Sequence, residues 1–366
     1  MANKRLLLAA GGTGGHMFPA QALAETLAAR GWDIAMITDA RGLTHAGNIP
    51  ADPIREVSAA TINPRKPLAA IKGMIKLANG VNEAKSFMRG WKPDVVAGFG
   101  GYPAFPAVKA AQALKIPTVL HEQNAVLGRV NRVLAKGAHV VATGFERCDK
   151  MPEGVISVCT GNPLRAQISA AIPENYIAPQ ANIHMTIVGG SLGAKLISET
   201  VPAAIALLPT QLQKRLVIVQ QTRAEYLDQA REIYRLAGVR ATCEPFFSNI
   251  EVHLASAHYI VGRAGAGSVS EIAAMGKPAL FVPLKIAMDD HQTINALALK
   301  DLGAADILPE SEFTVEGVKT TLEDRLNDSN WLETASQSAR RAARRDAAAR
   351  LADLVISAAD VSREKS

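Results

Sequence analysis

Cysteine is scarce in this chain. Cys148, Cys159 and Cys243 are the only three in 366 residues, and no C-x-x-C pair occurs. That argues against a disulfide framework or a zinc cluster and for a reducing compartment. Long apolar runs are missing as well: none approaches the ~18 residues of a membrane span. The apolar stretch at the start stops at Gly11, too early for most signal peptides, and it reads better as a first strand. No set of His, Cys and Asp has convincing metal spacing, so neither metal nor cofactor is expected. A G-x-S-x-G nucleophile elbow is absent too.

What is present is length and apolar content. At 366 residues and 48% hydrophobic, the chain is too long for one ordinary domain and rich enough for two cores. The net charge of +6 suits phosphate-rich ligands or an anionic membrane surface; no nucleic-acid partner is expected. Strand-like runs at Ile34–Thr38, Val95–Gly98, Thr118–His121, His139–Ala142, His184–Val188, Leu216–Gln220, Tyr259–Val261 and Ala279–Val282 alternate with amphipathic stretches. Helices are expected over Tyr102–Leu114, Glu199–Leu207, Ala224–Ala237, Val269–Met275 and His291–Leu302. This rhythm is that of βαβ units. It predicts an α/β protein of two Rossmann-like, doubly wound parallel-sheet domains facing across a cleft. The turn at Asn162-Pro163 divides them, giving domains over 1–162 and 163–339. A last helix over 340–366 is expected to pack back on the first domain.

The segment "LLLAAGGTGGHMFPAQALAETLAARG" joins an apolar run to an alanine-rich helical stretch through Gly11–Gly15. Pro19 suits a first helical turn and Gly31 a C-terminal stop. Such a loop puts free N–H groups and the positive end of a helix at the carboxyl edge of a sheet, where an anion is welcome. A tight turn without ligand is the plain alternative. The loop is neither a dinucleotide fingerprint, since Met17 stands at the last glycine position, nor a Walker loop, since no G-K-[ST] follows. "IVGGSLGA" (Ile187–Ala194) repeats the pattern near the middle of the chain.

Three further strand–loop–helix junctions carry polar groups. "GFGGYP" presents Tyr102 at a turn, and "HEQN" puts His121, Glu122, Gln123 and Asn124 together after a buried strand, where core packing hardly explains them. "GRAGAGSVSE" runs from a strand into a helix expected to begin at Ser268, with Ser268 or Ser270 as cap and Glu271 in the first turn. Glu271 there either offsets the helix dipole or takes two ribose hydroxyls. "DDHQTINA" sets His291 and Gln292 at another helix start, either as part of an N-cap cluster with Asp289 and Asp290 or as sugar ligands.

The ordered set "GGTGGH", "GFGGYP", "HEQN", "GNPLR", "GGSLGA", "RAGAGSVSE" and "DDHQTINA" covers nearly the whole chain. In it the chain resembles the two-domain GT-B glycosyltransferases of family 28, and among them those that act on lipid I. Gly267 stands where that family carries a larger side chain, and Ser268 where threonine is common. The resemblance implies transfer of N-acetylglucosamine from UDP-N-acetylglucosamine to the 4-hydroxyl of the muramyl sugar of lipid I, undecaprenyl-pyrophosphoryl-MurNAc-pentapeptide. Inversion in one displacement needs a base for the hydroxyl proton and positive partners for the departing diphosphate. By this resemblance Thr13, Gly14 and Gly15 floor the site, and His16 is the base or orients the hydroxyl. Asn124, Arg165, Ser191, Arg263 and Ala266–Ser268 with Gly267 contact the donor, Glu271 takes the ribose, and His291 with Gln292 meets the donor sugar. Tyr102 lies on the acceptor side. The implied location is the cytoplasmic face of the inner membrane, as a peripheral protein, with cell-wall synthesis and division proteins as partners.

A membrane-facing segment is expected over Asn63–Asp94. Leu68, Ile71, Met74, Ile75 and Leu77 give it apolar weight, Arg65, Lys66, Lys72 and Lys76 charge, and Phe87, Arg89, Trp91 and Lys92 repeat the mixture. The plain alternative is an amphipathic helix covering the first sheet. Other activities compatible with the motifs are a UDP-glucose or UDP-galactose transferase acting on diacylglycerol, a UDP-N-acetylglucosamine 2-epimerase, and a sugar-nucleotide sensor without turnover.

Overall fold

The computed structural model describes residues 3–12, 14–44, 46–60, 67–190 and 194–363. The chain divides into two compact units, Met1–Arg165 with Arg344–Ser366, and Ala166–Ala343. In the first unit β1 (Arg5–Ala9), β2 (Asp33–Thr38), β3 (Ile54–Glu56), β4 (Val95–Gly98), β5 (Thr118–Glu122), β6 (Val140–Thr143) and β7 (Ser157–Cys159) form one sheet. Its order is β3-β2-β1-β4-β5-β6-β7, and every pairing is parallel.

Both faces of that sheet are covered, which is why β1 reads as an unbroken apolar run. Leu6 and Leu8 face Met17, Leu23 and Leu27 of the helix Gly14–Ala28, together with Leu351 and Val355 of the C-terminal helix Ala347–Arg363. Leu7 and Ala9 face the other way, onto Ala84 and Met88 of the helix Pro67–Trp91 and Ala104 and Val108 of the helix Gly101–Ala113. Leu6, Leu7 and Leu8 are wholly buried, contributing roughly 1.5–3 kcal/mol each. Arg30–Asp353 and Lys4–Asp360 ion pairs, at 2.6 and 2.5 Å, flank the packed C-terminal helix; both are exposed and add little.

In the second unit β8 (Ile183–Val188), β9 (Leu216–Gln221), β10 (Arg240–Glu244), β11 (Tyr259–Gly262), β12 (Ala279–Phe281) and β13 (Ala305–Ile307) form a parallel sheet in the order β10-β9-β8-β11-β12-β13. The strand order reverses between β1 and β4 in one sheet and between β8 and β11 in the other. Doubly wound sheets bind ligands at the carboxyl ends of the strands at such points. The glycine-rich segments after β1, β4, β8 and β11 are the loops that border them.

The expected α/β architecture is present, with local differences. The first helix starts at Gly14, so Pro19 lies inside it and not in its first turn. Gly31 does end that region, at φ +80° with its N–H on Ala28. Strands β3, β7, β10 and β13 were not expected. They are short and mostly half-exposed, so their alternation of apolar and polar residues is faint.

Candidate active site

The first unit builds a continuous polar surface at its switch point. After β1, the Gly12 N–H donates to Asp39 Oδ1 at 3.1 Å, and the same oxygen accepts from Gly42 N at 3.0 Å. A carboxylate from the end of β2 thus pins the glycine loop. Thr13 lies outside the described residues; Gly14 and Gly15 open the helix. His16 follows, half-buried, with its Nδ1 2.7 Å from the carbonyl oxygen of Phe99. A carbonyl only accepts, so Nδ1 carries the proton and the lone pair of the neutral ring is on Nε2.

The loop after β4 runs alongside that ring, and its positive φ angles favour glycine. Gly100 and Gly101 have φ of +79° and +71°. A Cβ on Gly100 would lie 3.6 Å from His16 Cε1, and one on Gly101 3.5 Å from His16 Nε2. Tyr102 comes next, half-buried, at the start of the helix Gly101–Ala113.

The HEQN segment is the frame beneath. His121, Glu122 and Gln123 are buried. Glu122 accepts four hydrogen bonds, from Asn124 N and Nδ2 on one oxygen and from Gly128 N and Asn131 Nδ2 on the other. Gln123 Nε2 donates to the Phe99 carbonyl at 3.0 Å, the same oxygen that holds His16. His121 Nε2 is 3.3 Å from the Gly161 carbonyl, and burial pushes its pKa down to about 4, with His16 adding a smaller push in the same direction. The ring stays neutral at neutral pH. Asn162 Nδ2 donates to the Gln123 carbonyl, which ties the Gly161–Arg165 segment to this frame. Arg165 then holds its guanidinium 5.3 Å from the ring centre of Phe18, two residues past His16. Glu122, Gln123, Asn131 and Asp39 therefore act behind the surface. For Glu122 and Gln123 the signal was present in the HEQN motif. For Asp39 and Asn131 nothing local announces it, since the groups they brace, Gly12 and Glu122, are 27 and 9 residues away.

In the second unit Ser191 lies outside the described residues. The helix after β11 begins at Ala266, earlier than expected, with Gly265 as a cap that offers no side-chain acceptor. The N–H groups of its first turn, which includes Gly267 and Ser268, are left uncapped by any side chain at Gly265. Gly267 borders open space. Because the helix starts at Ala266, Ser268 is not its cap and Glu271 falls in the second turn, a correction to the expected placement. Helix-dipole compensation falls off beyond the first turn, which weakens that explanation of a half-buried carboxylate.

Arg263 forms a 2.7 Å ion pair with Glu310, and its Nη1 donates to the Val282 carbonyl. Its guanidinium thus braces the loop. Gln292 Oε1 accepts from Leu284 N at 3.0 Å; a backbone N–H only donates, so this contact fixes the amide with its oxygen toward Leu284 and its NH₂ group as the donor end. Asp289 and Asp290, just before His291, both adopt left-handed φ, +56° and +54°. Non-glycine residues in that region carry strain, which concentrates at functional sites. Among the described residues, no group of three or more His, Cys, Asp or Glu could hold a metal ion.

The helix Pro67–Trp91 carries an exposed apolar stripe: Ile71, Met74 and Ile75 are 51%, 52% and 58% exposed, next to exposed Lys72 and Lys76. Leu77 does not belong to it, being buried. Phe87 and Trp91 pack against the sheet-side core and stack on each other at 6.1 Å, so the far end of the helix is an inner face. Arg65, Lys66 and the Leu68 side chain lie outside what is described. No described helix is long and apolar enough to cross a membrane.

Residues 6–143 match the glycosyltransferase family 28 N-terminal domain, and residues 184–351 the family's C-terminal domain. A Maricaulis maris protein is 50% identical over 359 residues, 97% of this chain and 98% of its own. Its name is UDP-N-acetylglucosamine--N-acetylmuramyl-(pentapeptide) pyrophosphoryl-undecaprenol N-acetylglucosamine transferase. A Caulobacter vibrioides protein of the same name is 45% identical over 96% of this chain and 98% of its own. The crystal structure of Acinetobacter baumannii MurG superposes with a TM-score of 0.80 at 32% identity, covering 97% of this chain and 99% of that one. A UDP-N-acetylglucosamine 2-epimerase shares the fold at 15% identity, with a TM-score of 0.64 over 96% and 95% of the two chains. The chain belongs to glycosyltransferase family 28.

Proposed function

We propose that this glycosyltransferase moves N-acetylglucosamine from UDP-N-acetylglucosamine to the 4-hydroxyl of the muramyl sugar of lipid I, with inversion, giving lipid II. The observation that carries the reading is His16 at the first switch point, its Nδ1 proton given to Phe99 and its Nε2 lone pair left to take a hydroxyl proton, in a chain half identical to the Maricaulis transferase. A general base needs that lone pair within hydrogen-bond reach of the attacking oxygen. Glycine-loop N–H groups, the helix start at Ala266–Ser268, Ser191 and Arg165 meet the diphosphate; Glu271 takes the ribose; Asn124, Gln292 and His291 contact the donor; Arg263 keeps its loop in place. Tyr102 lies on the acceptor side, and Thr13 with Gly14 and Gly15 floors the site for phosphates and acceptor. Partners among cell-wall synthesis and division proteins belong to the same reading.

Diphosphate charge is met here by helix N-termini and arginine. Turnover of UDP-N-acetylglucosamine with a water-soluble lipid I analogue should therefore persist in EDTA. Loss of turnover in EDTA, restored by magnesium or manganese, would contradict this.

The polyprenyl acceptor brings the enzyme to the inner face of the plasma membrane, as a peripheral protein. The stripe of Ile71, Met74 and Ile75 beside Lys72 supports a surface-lying contact with anionic lipid. A Lys72→Glu, Ile75→Gln variant should bind anionic vesicles at least about tenfold more weakly, since each basic residue near such a surface contributes ~1 kcal/mol and its reversal counts twice. Co-sedimentation measures this; turnover of the soluble acceptor should not change. Equal sedimentation of variant and parent would remove the membrane assignment.

A further inference from the structure

A cavity of about 600 Å³ opens in the first unit at the carboxyl ends of β2, β3 and β4, its lining including Asp39, Arg41, Glu56, Lys76, Glu83 and Tyr102. It shares a wall with the glycine loop. Asp39 is the carboxylate that holds Gly12, and Pro103, also at the cavity, stands so near Gly11 that a Cβ there would come within 2.7 Å of it. Tyr102 adjoins Gly101, against which the His16 ring rests. A sugar held at His16 therefore has this cavity within reach of a short substituent. Five extended residues span up to about 17 Å, ample to enter it.

The charges of the cavity select the substituent. Three carboxylates outnumber two cations, which disfavours a diphosphate. Two of those carboxylates are already committed: Asp39 to Gly12, Gly42 and Arg41, and Glu83 to the N–H and hydroxyl of Ser58. Among the described residues neither the Glu56 carboxylate nor the Lys76 ammonium has a hydrogen-bond or ion-pair partner. One anion and one cation are thus on offer, as a chain bearing both a free ammonium and a free carboxylate would require.

We propose that this cavity is the subsite for the acceptor's peptide, with Glu56 receiving a free ammonium group of that peptide and Lys76 a carboxylate. The proposal rests on the acceptor assigned above. The test uses two water-soluble lipid I analogues whose pentapeptide contains one lysine, with Nζ free in one and acetylated in the other. The parent enzyme should show a KM about five-fold lower for the free amine, the upper range for one partly exposed ion pair. Glu56→Gln should bring the ratio to about one, with KM for the acetylated acceptor and for UDP-N-acetylglucosamine unchanged. The parent's indifference to acetylation, or a ratio that survives in Glu56→Gln, would overturn the subsite. Turnover of neither analogue by the parent would instead overturn the acceptor reading, and the subsite with it.

Discussion

His16→Ala should lower kcat by about 10²–10⁴-fold while UDP binding is retained, the loss expected when a general base is removed. The separation follows from where the ring sits. His16 is held by the Phe99 carbonyl at 2.7 Å and rests on Gly100 and Gly101, all parts of the first unit. Glu271 and the helix start at Ala266, to which nucleotide binding is assigned, belong to the other unit. The Phe99 carbonyl also accepts from Gln123, so the oxygen that orients His16 is itself fixed from below. Steady-state kinetics with saturating donor, with calorimetry of UDP binding alongside, make the comparison. A variant with near-normal kcat would make His16 a helix-start hydrogen bonder and move the base elsewhere. A variant that also lost UDP would give the ring a structural role instead.

Glu271→Ala should raise KM for UDP-N-acetylglucosamine by about 10- to 150-fold with a smaller change in kcat. A carboxylate receiving two hydroxyls makes charge-assisted hydrogen bonds of ~1.5–3 kcal/mol together. Glu271 sits in the second turn of its helix, where dipole compensation no longer rewards a carboxylate. Initial rates over a range of donor concentrations measure the effect. A complex with UDP in which Glu271 stands away from the ribose would remove the assignment, as would an unchanged KM.

Both loops owe their legibility to the same feature. Buried parallel strands are short, wholly apolar and end abruptly, so Leu6–Ala9 and Tyr259–Val261 announce the glycines that follow them. The reversal of strand order that makes those loops special is a property of the sheet and cannot be seen locally. Nor can the hydrogen bonds that set the chemistry: His16 finds its partner 83 residues away. The segment over 63–94 shows the opposite failure. Its mixed composition reads as one amphipathic surface, yet Leu77, Ala84 and Met88 turn inward and, among the large apolar side chains described there, only Ile71, Met74 and Ile75 are exposed. At Glu271 the helix start at Ala266 is not legible locally, because Gly265 caps without the polar side chain that normally signals an N-terminus.

The most direct measurement is the structure of the product formed from UDP-N-acetylglucosamine and a water-soluble lipid I analogue. Nuclear magnetic resonance should show one β-linked N-acetylglucosamine on the 4-hydroxyl of the muramyl sugar, with UDP released in equal amount. An α linkage, transfer to another hydroxyl, or conversion of the donor without consumption of the acceptor would contradict the account.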